Sequence, residues 1–172
     1  MSETPVHGSP EAAGPASLTR RLVLFFASGG FVGYIPVASG TFGTLVAFPL
    51  FWLYDPVRYA SPTLYVVGYA LMVAAACWIA GRAEELVQEH DSHKIVIDEI
   101  VGYLGATLFL APTWKHTLVA FFVFRALDVF KPFPAGWIDK HMRGGAGVVL
   151  DDVVSGLYSN LVTRLVAGWL LT

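Results

Sequence analysis

The sequence is poor in charge and has almost no cysteine. Of its 172 residues, 14% are Asp, Glu, Lys or Arg, while 55% are hydrophobic. Soluble domains carry about 25% charged and about 45–50% apolar residues. With a mean hydropathy of +0.60, a lipid environment is the first expectation. The single cysteine, Cys77, excludes an internal disulfide and a cysteine-rich zinc site. Arg82 follows it at Cys-x4-Arg, one residue short of the spacing a cysteine nucleophile of the phosphatase type uses, so Cys77 reads as a packing residue. A net charge of −2 gives no footprint for nucleic acid. No internal repeat is visible. Neither is the Asp-x-Asp-x-[Thr/Val] signature of aspartate-based phosphoryl transfer.

What the chain does have is a series of apolar segments, at 22–34, 41–54, 62–80, 98–111, 114–129 and 153–171. Residues 1–19, rich in Pro, Gly, Ser and Ala, read as a disordered tail, and residues 20–172 as a single membrane-embedded domain. The stretch TRRLVLFFASGG imitates a signal peptide, but its apolar part is short and no clear cleavage site follows. Segment 62–80 opens with Pro62, a good first helical residue, and at about 28 Å is long enough to cross a bilayer core. The segments at 41–54 and 98–111 reach only about 21 Å as helices, so they cross only if their ends dip into the interface or the bilayer thins. The expected fold is all-α: a polytopic membrane helical bundle with short or re-entrant helices and a polar site on the cytoplasmic side.

The tight connection LAPTWKHT (Leu110 to Thr117) makes the flanking segments a helical hairpin. Asp98 and Glu99, at the start of the first leg, therefore return to the same side as Arg125, Asp128 and Lys131 at the end of the second. Arg82, Lys94, Lys131, Lys140 and Arg143 belong to this polar face, against Arg58 and Lys115 on the other. The positive-inside rule makes the polar face cytoplasmic. Arg20 and Arg21 join it if segment 22–34 lies in the interface or re-enters.

Nearly all acidic residues outside the tail gather on this face, and unpaired carboxylates at the mouth of a membrane bundle are costly. The pattern demands a compensating cation, either Lys/Arg or a metal ion. Oxygen-only ligation from Asp and Glu suits a hard ion such as Mg²⁺ or Mn²⁺, whereas zinc would prefer His90, His93 and His141. Adjacent carboxylates on a helix point about 100° apart. Within Asp98–Glu99 and within Asp151–Asp152, one member can therefore face a central site while its neighbour caps a helix or meets a base. Plain structural readings stand beside these: Asp151 as a helix N-cap with Asp152 in the first turn, Arg125–Asp128 as an intrahelical ion pair, Asp98–Glu99 as a solvent-facing helix start, HDSH as an exposed loop. SGTFGT (Ser39 to Thr44) is an ordinary cap or, through backbone N–H groups around Thr41, a phosphate cradle. The stripe Asp152, Ser155, Gly156, Ser159, Asn160 and Thr163 suits close helix approach and bonds across a bundle. Arg164 must face a partner.

Taken together, SGTFGTLVAFP, IDEIVGYLG and FRALDVFKPFPAGWIDKHMRGGAGVVLDDVVSGLYSNL resemble the phosphatidylglycerophosphatase A family from about Phe26 to the last helix. The Arg125–Gly156 stretch carries D-x-x-K-P-x-P, D-[KR]-x-x-x-G-G and D-D in the family's order and spacing. Ser39 stands where the family usually has proline, and Ile97 where it often has an aromatic. The resemblance implies an integral membrane, Mg²⁺-dependent phosphatase that converts phosphatidylglycerophosphate to phosphatidylglycerol, the second step from CDP-diacylglycerol. On that basis Asp98, Glu99, Asp128 and one or both of Asp151 and Asp152 are expected to hold Mg²⁺. Lys131, with Arg125 or Arg143, is expected to neutralise the phosphate, and a carboxylate or His93 to act as general base. An ion- or proton-coupled transporter is the rival reading. It would place its carboxylates near the midplane of several helices instead of at helix ends on one side.

Overall fold

The computed structural model describes residues 15–88 and 92–170, which are helical and contain no strand. Helix α1 (Pro15–Ala27) leads through a 3₁₀ turn (Val32–Tyr34) to α2 (Ser39–Tyr54) and the single turn α3 (Val57–Ala60). Then follow α4 (Pro62–Val87), α5 (Ile97–Ala106), α6 (Trp114–Phe130), α7 (Ala135–His141) and α8 (Gly145–Leu170). The expected tail falls outside the described residues up to 14, and residues 15–19 open α1.

Local chemistry sets most boundaries. The Ser61 hydroxyl accepts from the Leu64 N–H at the start of α4, with Pro62 as its first residue. Thr113 does the same for α6 by accepting from the His116 N–H. Left-handed residues close helices at Gln88 and Lys131.

Helix α8 is the central post, packed against α4, α5, α6 and α7. One apolar cluster joins α2, α5 and α6 through Phe51, Val96, Tyr103 and Phe124. The other joins α1, α4 and α8 through Val23, Ala27, Ala76, Ala80 and Val149. Helix α5 belongs to both (Ile100 and Tyr103 to the first, Val101 to the second). The Tyr103 hydroxyl donates to the Thr117 carbonyl at 2.8 Å, tying the hairpin together.

The outer surface is apolar: Leu53, Leu71, Phe122, Phe130 and Leu165 are each more than 60% exposed, a distribution that suits lipid better than water. Among the described residues only α4 is both long and apolar enough to cross a membrane. Several crossings are therefore not established. Segment 22–34 does not form one helix, because positive φ at Gly29, Gly30 and Phe31 ends α1 and turns the chain. Segment 98–111 is helical only to Ala106; ten residues give about 15 Å, half a bilayer core.

Two residues of α8 serve this early end of α5. Asn160 Nδ2 donates to the carbonyls of Ala106 (3.0 Å) and Leu108 (2.8 Å), and Arg164 donates from Nη2 to Leu108 O and from Nε to Asn160 Oδ1. The arginine thus has its partner. Asn160→Ala is expected to lower unfolding stability by about 2 kcal/mol, because the Ala106 carbonyl loses its side-chain donor, Leu108 keeps only Arg164, and Arg164 Nε loses its acceptor. Thermal unfolding followed by circular dichroism checks it.

The start of α8 is a correction. The helix begins at Gly145, so Asp151 and Asp152 lie in its second turn and neither is an N-cap. The cause is tertiary: a Cβ on Gly145 would sit 1.9 Å from the Cys77 carbonyl oxygen. Only a glycine lets α8 begin against the backbone of α4.

Candidate active site

Two glycines bring the acidic residues together. Asp98 and Gly102 are one turn apart on α5, as are Asp152 and Gly156 on α8, so each glycine lies beneath its aspartate on one face. A Cβ on Gly156 would stand 2.0 Å from Gly102 O, and one on Gly102 would stand 2.9 Å from Asp152 O. The helices therefore meet backbone to backbone. Asp98, Glu99 and Asp152 each offer a carboxylate oxygen, and all three oxygens lie within 4.8 Å of one another.

Glu99 turns toward α2. A Cβ on Gly40 would come within 2.2 Å of Glu99 Oε1 and 3.3 Å of Arg125 Nη1, so the first turn of α2 closes this side of the site. Thr41, half-buried, follows in the same turn. Arg125 pairs with Asp128 at 2.6 Å, and the Asp128 carboxylate lies against that of Asp152. The α5–α6 hairpin thus returns Asp98, Glu99, Arg125 and Asp128 to one end, as the loop length required.

The aspartate pair on α8 divides its contacts. Asp152 joins Asp98 and Glu99, while Asp151 accepts from Lys131 Nζ at 2.7 Å. Lys131 also donates to Asp139 of α7. Asp139 was not among the expected site residues, although D-[KR]-x-x-x-G-G contains it. Gly40 was missed as well; its signal is the glycine of Ser39-Gly40-Thr41, where only a hydrogen fits. His93 and Arg143 are exposed and lie outside the three-carboxylate group. His90 and Asp91 fall outside the described residues.

The electrostatics are unbalanced. Six carboxylates (98, 99, 128, 139, 151 and 152) meet two cations that pair with them, Arg125 and Lys131. Burial, and then the charges of Glu99 and Asp152, lift the Asp98 carboxyl well above the ordinary 3.8. Burial likewise raises Glu99, with Asp98 and Arg125 opposing the shift. At Lys131 burial pulls the ammonium down, but the bonds to Asp139 and Asp151 outweigh it and hold the charge. Asp98 Oδ1, Glu99 Oε2 and Asp151 Oδ1 are buried with no hydrogen-bond partner among the described residues. The orphaned oxygens of Asp98 and Glu99 belong to the three-carboxylate group and fit a hard divalent cation, and among the described residues that group has no nitrogen or sulfur ligand that would select a softer one.

The phosphatidylglycerophosphatase A family profile matches residues 25–167. Phosphatidylglycerophosphatase A of Escherichia coli K12 is 33% identical over 129 residues, covering 74% of this chain and 73% of the relative. The Haemophilus influenzae protein of the same name is 29% identical over 140 residues, 81% of this chain and 85% of its own. A Bacteroides thetaiotaomicron relative, 30% identical over 150 residues (81% and 89%), carries a provisional phosphatidylinositol-3-phosphatase name. No solved structure matches. Nothing among the relatives supports a transporter. The matched span runs from α1 into α8 and contains every carboxylate of the cluster, and the chain belongs to the phosphatidylglycerophosphatase A family.

Proposed function

We propose that this site hydrolyses the phosphate monoester of phosphatidylglycerophosphate, releasing phosphate and phosphatidylglycerol, and that it uses Mg²⁺ to do so. The observation that carries the reading is the convergence of the Asp98, Glu99 and Asp152 carboxylates, with unsatisfied oxygens on Asp98 and Glu99, beside two held cations.

Phosphate monoesters resist hydrolysis because a dianion repels nucleophiles, so charge neutralisation and positioning make up most of the catalytic task. Asp98, Glu99 and Asp152 would hold the metal, with Asp128 completing the set. When bound, the metal supplies positive charge at the phosphoryl oxygens and lowers the pKa of coordinated water. Arg125 reaches the site between Gly40 and Asp128, and Lys131 is fixed by Asp139 and Asp151; both face the substrate's remaining negative charge. Because each is already anchored, little side-chain entropy is lost on binding. Water adds to phosphorus as a carboxylate of the cluster takes its proton, the bond to the glycerol oxygen breaks, and that proton is returned to the departing oxygen to give the free hydroxyl of phosphatidylglycerol.

The surroundings agree with a lipid substrate. The cluster lies where α2 and α5 begin and α6 ends, and large apolar side chains are exposed on the helix surfaces; the basic residues Arg82, Lys94, Lys131, Lys140 and Arg143 would turn this end toward the cytoplasm by the positive-inside rule. The domain would thus sit in the cytoplasmic membrane with its headgroup site facing the cytoplasm.

Purified protein in detergent, given phosphatidylglycerophosphate with Mg²⁺, is expected to release phosphate; phosphatidylinositol 3-phosphate serves as the competing substrate. Faster release from the inositol lipid would transfer the activity to that class.

Stability offers an independent prediction. Asp98 and Glu99 have folded-state pKa values raised above the ordinary 3.8 and 4.5. Their contribution is therefore complete below those values and is lost as pH rises through the raised ones. Each proton involved gives a slope of about 1.4 kcal/mol per pH unit. Metal-free protein should lose thermal stability as pH rises above the ordinary carboxylate range, Mg²⁺ should restore it, and Asp98→Asn should flatten the slope. A Tm that climbs with pH and ignores Mg²⁺ contradicts the assignment.

A further inference from the structure

An open groove of about 530 Å³ runs between α1, α2, α4 and α5, and all its lining residues are apolar or glycine. Nothing in the proposed chemistry uses it. Its position relates it to the carboxylates. Helices α2 and α5 both begin at the site, with Gly40 against Glu99 and with Asp98 and Glu99 in the first turn of α5. Both then run away from it along the groove, which Val46 and Leu50 line from α2 and Ile100 and Leu104 from α5. From Gly40 to Leu50 is ten residues, about 15 Å of helix, the hydrocarbon depth of one leaflet. Helix α4, the one described helix fit to cross a membrane, supplies the opposite wall through Met72 and Ala75.

A polar cluster at two helix N-termini and an apolar channel one leaflet deep beside the same helices match the two ends of a single phospholipid. We propose that this groove holds an acyl chain of the substrate whose phosphate lies at the carboxylate cluster, an inference that rests on the lipid phosphatase reading. Moving a chain from bilayer to groove gains no hydrophobic free energy, since both surroundings are apolar. The groove acts instead by orientation: a seated chain limits the positions the headgroup can take over Asp98, Glu99 and Asp152. Selectivity should follow for lipids whose first chain carbons begin at this depth.

The test uses the full chain in vesicles. Phosphatidylglycerophosphate with a photoreactive group midway along its acyl chains is irradiated immediately after mixing, and adducts are mapped by mass spectrometry. A phosphatidylcholine with the same photoreactive chains is the comparison. The expected result is labelling of residues 46–50 and 72–79 by the phosphate lipid, removed by excess unlabelled substrate and several-fold weaker with phosphatidylcholine. Equal labelling by phosphatidylcholine, or labelling elsewhere, overturns the groove assignment and identifies a bystander lipid. In parallel, Ala75→Trp fills the groove from an exposed wall position. It should lower kcat/KM about tenfold for long-chain substrate and leave a dihexanoyl substrate within twofold. An unchanged long-chain value counts against the groove. Wild-type protein that releases phosphate from neither substrate overturns the enzymatic reading itself, a distinct result.

Discussion

Asp152→Asn is expected to reduce phosphate release about a thousandfold while making the metal-free protein more stable. Asp152 is buried on α8 within reach of Asp98 and Glu99, with Asp128 against it. Like charges this close, shielded from water, raise the energy of the folded state. Asparagine keeps the shape and removes one charge, so the repulsion falls; each kcal/mol relieved is worth roughly 2–4 °C in Tm for a chain of this size. If Asp152 holds the metal as proposed, the same change removes a ligating oxygen and part of the charge that would anchor the ion, and losing one preorganised electrostatic group at a reacting centre costs about 10²–10³ in rate. Lower activity together with higher stability marks a functional charge, because a purely structural aspartate would lose stability on replacement. Phosphate release and thermal unfolding on the same preparation measure both.

Gly156→Ala should lose both properties. Its new Cβ would lie 2.0 Å from Gly102 O, 2.9 Å from Gly102 C and 3.3 Å from Ala106 N, all backbone atoms that cannot rotate away. The helices must separate, at about 1–3 kcal/mol or more for overpacking of a tight interface. The separation also moves Asp98 from Asp152, and a shift of about 1 Å at a catalytic group can cost 10²-fold. A Gly156→Ala protein with wild-type stability would show that the close approach of α5 and α8 is not what assembles the site.

These two substitutions mark where the sequence was readable. The carboxylates of α5 and α6 could be placed on one side because a short hairpin loop fixes parity whatever the detailed packing, while those of α8 joined them through the family resemblance. Asp152 and Gly156 could be placed on one stripe by helical spacing. Their partner Gly102 on α5 went unremarked, since a glycine inside IVGYLG shows its purpose only when α8 lies against it. The start of α8 was misplaced for a similar reason. Gly144–Gly145–Ala146–Gly147 has poor helix propensity and reads as a loop, but contact of Gly145 with the α4 backbone overrides it. Segment 98–111 was assigned too much helix because its apolar residues continue after Ala106; the carbonyls left by that early stop find Asn160 and Arg164, fifty residues further on. Asp139 escaped notice because its role depends on Lys131 reaching two carboxylates from separate helices. His93 and Arg143, expected in the site by motif and charge, are exposed and do not belong to the three-carboxylate group.

The central claim is that Asp98, Glu99 and Asp152 hold a divalent ion on which phosphate release depends. The most direct measurement titrates Mg²⁺ into EDTA-treated wild type and Asp152→Asn while phosphate release from phosphatidylglycerophosphate is followed. The account predicts no release in EDTA, saturable recovery of the wild type with Mg²⁺, and recovery of the variant to about a thousandth of that rate at most. Full release in EDTA, or matching titration curves for the two proteins, would contradict it.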